Sequence, residues 1–238
     1  MRDIPEHSVD MVLCDLPYQM TSCEWDKIIP FPELWGEYNR IIKENGAIVL
    51  FSAQPFTTKL IHSNLKHFRY CWYWKKKNVT GAPFAKVQPM RCVEDICVFY
   101  RKAPTYNPQG LKKLDRVKIN NPKGNGVYRK KKNASVQTHT GYPVHLLEFA
   151  NDTMNKSRLH PTQKPVALLE YLIKTYTNPG EIVLDNCMGS GSTGEAATRT
   201  DRRFIGIEKD EHFFKVAKER IRGVVENVDP KTRAILQK

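Results

Sequence analysis

Apolar residues along this chain come in short continuous runs, separated by stretches in which they recur every third or fourth position. SVDMVLCD has the brief apolar core of a buried strand and ends at Asp15. FPELWGEYNRIIKENG places Leu34, Tyr38, Ile41 and Ile42 at helical spacing, with Asn45-Gly46 as the expected stop. The nearly unbroken run AIVLFS suits a strand covered on both faces. PFTTKLIHSNLKH predicts a second helix, and FRYCWYWKKK a strand with Phe68, Tyr70, Trp72 and Trp74 along one face as a core stripe. EDICVFYRK predicts a further strand. From about Ala103 to Arg158 the pattern dissolves into Asn, Pro, Gly, Lys and Thr, and so long an irregular stretch is usually functional or disordered. Order returns in HPTQKPVALLEYLIKTYTNPG, where Leu168, Leu169, Leu172, Ile173 and Tyr176 mark a helix closed by Asn178-Pro179-Gly180. The strand EIVLD, the loop NCMGSGSTG, the helix start EAATR, the strand RFIGIE and the helix DEHFFKVAKERI follow.

Strands alternating with helices predict an α/β fold: a doubly wound, mostly parallel sheet with helices on both faces, interrupted by an irregular basic insertion. The expected organisation is a first half at 1–102, the insertion at 103–158, a second half of the same domain at 159–223 and a polar tail at 224–238. A chain of 238 residues is long enough for one such domain with a sizeable core.

Composition narrows the function classes. No apolar run approaches the roughly 20 residues that span a bilayer, and MRDIPEHSVD lacks a signal-peptide core, so a soluble cytoplasmic protein with no membrane partner is expected. The six cysteines form no C-x-x-C pair and no His/Cys cluster, so they read as reduced thiols and no metal site is expected. The net charge of +13 is concentrated. Lys112, Lys113, Lys118, Arg129, Lys130, Lys131 and Lys132 lie in the insertion with Asp115 as the only acid among them, a block that attracts a polyanion or else forms a solvated loop.

Gly189-Ser190-Gly191-Ser192-Thr193-Gly194 satisfies G-x-G-x-x-G between a strand and a helix, with Glu208 at the end of the next strand. Alone this is a weak dinucleotide signal. Two details turn it toward S-adenosyl-L-methionine. The strand ends in Asp185, and three more residues precede the first glycine. A carboxylate there attracts a ligand carrying an ammonium and a sulfonium, and repels a pyrophosphate. Gly191 is expected to leave space for that ligand, which a valine would fill.

Asp15-Leu16-Pro17-Tyr18 ends the first strand with a carboxylate, a proline and an aromatic ring, a costly ending for a strand that needs none of them. The tetrapeptide resembles the D-P-P-Y motif of amino-group DNA methyltransferases. VLDNCMGSGSTGEAA resembles their cofactor motif, and LHPTQKPVALLEYLI the segment before it. The order of catalytic tetrapeptide, basic region and cofactor loop is similar to the permuted beta group, from about Ser8 to Ile221.

The resemblance implies a Rossmann-like S-adenosylmethionine-dependent methyltransferase, acting at the N6 amino group of a flipped adenine in double-stranded DNA, as in restriction–modification. It makes 1–102 the catalytic half, 103–158 the target-recognition insertion and 159–223 the cofactor half. In the catalytic set Asp15, Leu16, Pro17 and Tyr18, Asp15 and the Leu16 carbonyl would accept from the amino group and Tyr18 would stack on the base. Asp185, Met188, Gly189, Ser190, Gly191, Ser192 and Thr193 would hold the cofactor with Glu208 on its ribose, and His160, Thr162 and Lys164 would line the same pocket. The seven basic residues of the insertion named above would contact DNA. Leu16 stands where the family has its first proline, which leaves the backbone there less restrained. Relatives commonly carry a further stretch ahead of the catalytic strand. An N4-cytosine methyltransferase and a DNA-binding module with an impaired pocket are the alternatives, and a homodimer is left open. Carbon-5 cytosine chemistry is disfavoured, since no Pro-Cys pair occurs.

Overall fold

The computed structural model describes residues 1–19, 26–120, 134–150 and 163–227. His160, Thr162, Arg129, Lys130, Lys131 and Lys132 lie outside the described residues, as does the chain after residue 227.

Seven strands form the main sheet: β1 (Val9–Asp15), β2 (Ile42–Ser52), β3 (Phe68–Thr80), β4 (Arg91–Phe99), β7 (Leu146–Phe149), β8 (Ile182–Asp185) and β9 (Arg203–Gly206). Their order is β7-β3-β4-β2-β1-β8-β9. Among these strands β4 alone runs against its neighbours; β1 pairs in parallel with β2 and β8, and β8 with β9. The helices are α1 (Phe31–Ile41), α2 (Phe56–Ser63), α3 (Val166–Tyr176), α4 (Ser192–Arg199) and α5 (Glu211–Asn227). The expected doubly wound α/β fold is the one observed.

Alternation along each central strand builds two cores. Met11, Leu13, Ala47, Val49 and Phe51 face α3 and α4, while Val12, Cys14, Ile48 and Leu50 face α1 and α2. Burial on both faces explains the nearly continuous apolar runs of β1 and β2. Asp10 ties three strands together, since its oxygens accept from Lys43 Nζ at 2.6 Å and the Ile182 N–H at 2.9 Å.

Three local readings change. Helix α1 stops at Ile41, and Asn45-Gly46 lies inside β2, because the chain turns extended at Ile42, which pairs with Val9. The aromatic stripe of β3 splits: Tyr70, Trp72 and Trp74 join one core, but a register shift after Phe68 sends that ring to the other. The stretch 103–158 is not wholly irregular. It contains the antiparallel pair β5 (Lys112–Asn120) and β6 (Ser135–Thr140), and β7, which joins the main sheet beside β3. A separately packed unit runs from Pro108 to Val144, narrower than 103–158, because β7 is held by the main sheet. Within that unit Lys112, Lys113 and Lys118 are exposed on β5. At the other end α5 continues to Asn227, so 224–227 is helix rather than tail.

Among the described residues, no helix is long and apolar enough to cross a membrane.

Candidate active site

Chain order reverses at the β1–β8 boundary, with β2 on one side and β9 on the other, and the crevice outside the carboxyl ends of such strands is where doubly wound sheets bind ligands. Asp15 ends β1 and Asp185 ends β8, so the two segments of chemistry picked out in the sequence meet at this one place.

Both oxygens of Asp15 are engaged. The Tyr18 hydroxyl donates to Oδ1 at 2.5 Å, and Lys164 Nζ donates to Oδ2 at 2.5 Å. The Tyr18 ring stacks on Phe56, with centroids 5.0 Å apart and planes 28° from parallel. Burial, then the charge of Asp15, pushes the Tyr18 phenol well above its ordinary value, so it stays a donor. The Leu16 side chain is buried in the core with Val12, Cys14 and Leu34. That anchor supplies by packing the restraint that a proline would supply by its ring. Pro17 is half-buried beyond it.

Lys164, which the resemblance implies lines the cofactor pocket, has its ammonium on Asp15. It lies 3.6 Å from Glu94 Oε2 and 5.1 Å from the centre of the Phe51 ring. Burial alone would lower Lys164, but Asp15 and Glu94 outweigh it and hold the ammonium above its ordinary value. Glu94 is also ion-paired to Lys76. Burial would raise Glu94, and the two lysines outweigh it and hold the carboxyl below its ordinary range. From the sequence alone Glu94 and Lys76 read as ordinary strand residues. The available signal was charge inside segments otherwise patterned for burial, VEDICVF and CWYWKKK.

The glycine loop is held from within. Asp185 is 3% exposed; its Oδ2 accepts from the Thr193 hydroxyl at 2.7 Å and its Oδ1 from the Cys187 N–H at 3.0 Å. Burial raises its carboxyl to about 6 against those hydrogen bonds. Glu208 Oε2 accepts from the Gly189 N–H at 2.9 Å, and the Gly191 N–H is bonded to the Met188 carbonyl at 2.8 Å. Gly189 and Gly191 have φ of +50° and +78°. Met188, Ser190, Ser192 and Thr193 are buried around them. The Ser190 hydroxyl reaches Gln163 Oε1 at 3.5 Å, which joins the segment before α3 to the loop.

An added Cβ at Gly191 would meet Ala217 Cβ of α5 at 2.8 Å. The missing side chain of Gly191 thus admits α5, a packing reason for the glycine beside its expected role at the cofactor.

This donor set fits S-adenosylmethionine better than a dinucleotide. The Gly189 and Gly191 N–H groups are already bonded, so a pyrophosphate would not find them free, whereas Asp185 and Glu208 offer negative charge to a cationic ligand. Cys14, next to Asp15, is no competing nucleophile, since burial and then Cys187 hold its thiol well above its ordinary value.

A doubly wound sheet with a carboxylate-proline-tyrosine turn and a glycine loop on adjacent strand ends defines a Rossmann-like methyltransferase. The family model for DNA methylases of the N6/N4 amino-methyltransferase type matches residues 9–219. The chain belongs to that family, whose cofactor is S-adenosylmethionine. It is 28% identical over 240 residues to the type II methyltransferase M.HpaI of Haemophilus parainfluenzae, spanning 93% of this chain and 70% of that one. It is equally similar, 28% over 240 residues, to the DNA adenine methyltransferase YhdJ of Escherichia coli K12, spanning 93% and 79%. Among solved structures, the M1.HpyAVI complex with S-adenosylmethionine superposes with a TM-score of 0.60 at 25% identity, covering 90% of this chain and 89% of that one. The PvuII cytosine-N4-specific DNA methyltransferase shares the fold with a TM-score of 0.67 at 18% identity, covering 99% and 87%.

Proposed function

We propose that this protein transfers a methyl group from S-adenosylmethionine to the N6 amino group of an adenine flipped out of double-stranded DNA. The observation that carries the reading is the meeting of Asp15 with the glycine loop across the β1–β8 boundary. An aspartate at the first motif position and the likeness to a relative named as a DNA adenine methyltransferase favour adenine over cytosine.

An adenine amino group is a weak nucleophile because its lone pair is delocalised into the ring. Asp15 and the Leu16 carbonyl accept one N–H each, which draws the nitrogen toward a tetrahedral shape and returns the lone pair to it. Asp15 then opposes the positive charge that develops on the nitrogen. The Tyr18 ring, backed by Phe56, forms a platform for the extruded base, and such stacking contributes about 1–3 kcal/mol. Asp185, Glu208 and the loop from Met188 to Thr193 hold the cofactor, and His160 and Thr162 join Lys164 in the segment beside it. Bound there, the cofactor supplies the electrophilic methyl group. Alignment of the two reactants contributes roughly 7–11 kcal/mol to the rate at most. Lys112, Lys113 and Lys118, with Arg129, Lys130, Lys131 and Lys132, contact DNA phosphates. A restriction–modification setting fits the type II relative.

Incubation with labelled cofactor and mixed-sequence duplex DNA, followed by nucleoside analysis, tests this directly. N6-methyladenine at recurrent sequences is the expected product, and Asp15→Ala lowers transfer by at least about a thousandfold while cofactor affinity stays within a few-fold. N4-methylcytosine as the product would overturn the base assignment. Saturable DNA binding without transfer would return the chain to a binding module.

A further inference from the structure

Each Asp15 oxygen already takes one donor, from Tyr18 and from Lys164, so an arriving target amine shares the remaining lone pairs and meets an ammonium on the carboxylate it needs. Of the two donors, Lys164 is the one that opposes the positive charge developing on the amine. Tyr18 is held by a three-residue turn and by its stack on Phe56. Lys164 has another partner within reach. Glu94 Oε2 lies 3.6 Å from its ammonium, is buried, and takes no hydrogen bond from any described residue. The other oxygen of Glu94 is fixed by Lys76. A buried carboxylate oxygen without a donor is the uncommon case and calls for a reason.

We infer that Glu94 is the receiving partner in an exchange: when the target amine arrives, the Lys164 ammonium passes from Asp15 Oδ2 to Glu94 Oε2 and leaves Asp15 free to hold the base. The inference rests on the methyl-transfer reading above. Glu94 is a positioning residue, since it acts on Asp15 through Lys164. Before the exchange Asp15 is paired, and afterwards the amine serves Asp15 while Lys164 serves Glu94. Neither arrangement leaves a buried charge uncompensated. Two lysines and two carboxylates make the cluster neutral, so the exchange moves no net charge into the site. It also withdraws a cation from the nitrogen on which positive charge develops, where an ammonium against Asp15 would cancel the carboxylate's effect. The Phe51 ring beneath the ammonium gives it a favourable surface to cross. Lys164 is held above its ordinary value and therefore remains a cation throughout.

The test is a double-mutant cycle with Glu94→Gln, Lys164→Met and the pair, beside wild type. Turnover and KM on duplex DNA containing the mapped target, calorimetric cofactor affinity and melting temperature are read for each. Glu94→Gln is expected to lower kcat by about tenfold or more with cofactor affinity little changed, because the ammonium then stays on Asp15. Adding Lys164→Met is expected to raise kcat at least about fivefold above that of Glu94→Gln alone. A purely structural Glu94 predicts the opposite, a lower melting point and a further loss in the pair. Glu94→Gln within about twofold of wild type, or a pair no faster than the single variant, overturns the exchange. If Glu94→Gln does not fold, Glu94→Asp replaces it; it withdraws the carboxylate by one methylene, and the same suppression by Lys164→Met is required. Wild-type protein that yields no methylated nucleoside overturns the methyl-transfer reading and the exchange with it; an active wild type without suppression overturns the exchange alone.

Discussion

Two aspartates end neighbouring strands and meet different fates. The Asp15 side chain is 25% exposed and has a cation against it, whereas Asp185 is 3% exposed and is served by a hydroxyl and a backbone N–H. Asp185 is raised to about 6 by burial, so it is largely neutral below that pH and ionised above it. A cation-bearing ligand favours the ionised form. Affinity for S-adenosylmethionine is therefore expected to be full above about pH 7 and to fall by up to about tenfold per unit as pH drops through 6. Calorimetry from pH 5 to 8 checks this, with Asp185→Asn expected to bind weakly and without that pH dependence. At this scale the sequence was most informative where chemistry is packed into a few adjacent residues, as in Asp15-Leu16-Pro17-Tyr18. Glu94 was not legible, because its meaning comes from Lys164 and Lys76, partners distant along the chain.

Helix α4 shows how an element's start can be legible while one of its physical reasons is not. The glycine pattern does mark the turn from β8 into α4, and Gly191 caps the helix at a φ of +78°. Its bare Cα also admits the approach of α5 at Ala217, a partner distant along the chain. Gly191→Ala is expected to lose about 1–2 kcal/mol to the left-handed backbone and about 1–3 kcal/mol to overpacking. A lowered melting temperature checks it, and Ala217→Gly in the same chain should relieve only part of the overpacking, since the Ala217 Cα would still lie 3.0 Å from the new Cβ. The end of α1 was misread for a related reason. Asn45-Gly46 is a helix stop by local preference, but pairing with β1 extends the chain at Ile42 and overrides it.

Across the whole molecule, strand–helix alternation made the doubly wound architecture legible, while the part between β4 and α3 was not. Strand β7 is only four residues long and is defined by the β3 edge it joins, which no local pattern reveals. The unit Pro108–Val144 carries exposed Lys112, Lys113 and Lys118 on β5. Replacing these three with alanine is expected to weaken DNA binding uniformly across sequences and to flatten the salt dependence by up to about 0.9 in log–log slope for each phosphate no longer neutralised. Binding titrations from low to moderate salt check it, and an unchanged slope would return these lysines to solvent.

The pairing of β1 with β8 also sets a timetable. The bond from the Ile182 N–H to Asp10 spans 172 residues. At translation rates of about 5–20 residues per second, β1 leaves the ribosome roughly ten to thirty seconds before its partner exists. Throughout that interval one side of a strand destined for burial on both faces is an open edge, available to any other extended chain. The reaction centre is thus made long before it is closed, and a chain halted before β8 would present that edge indefinitely.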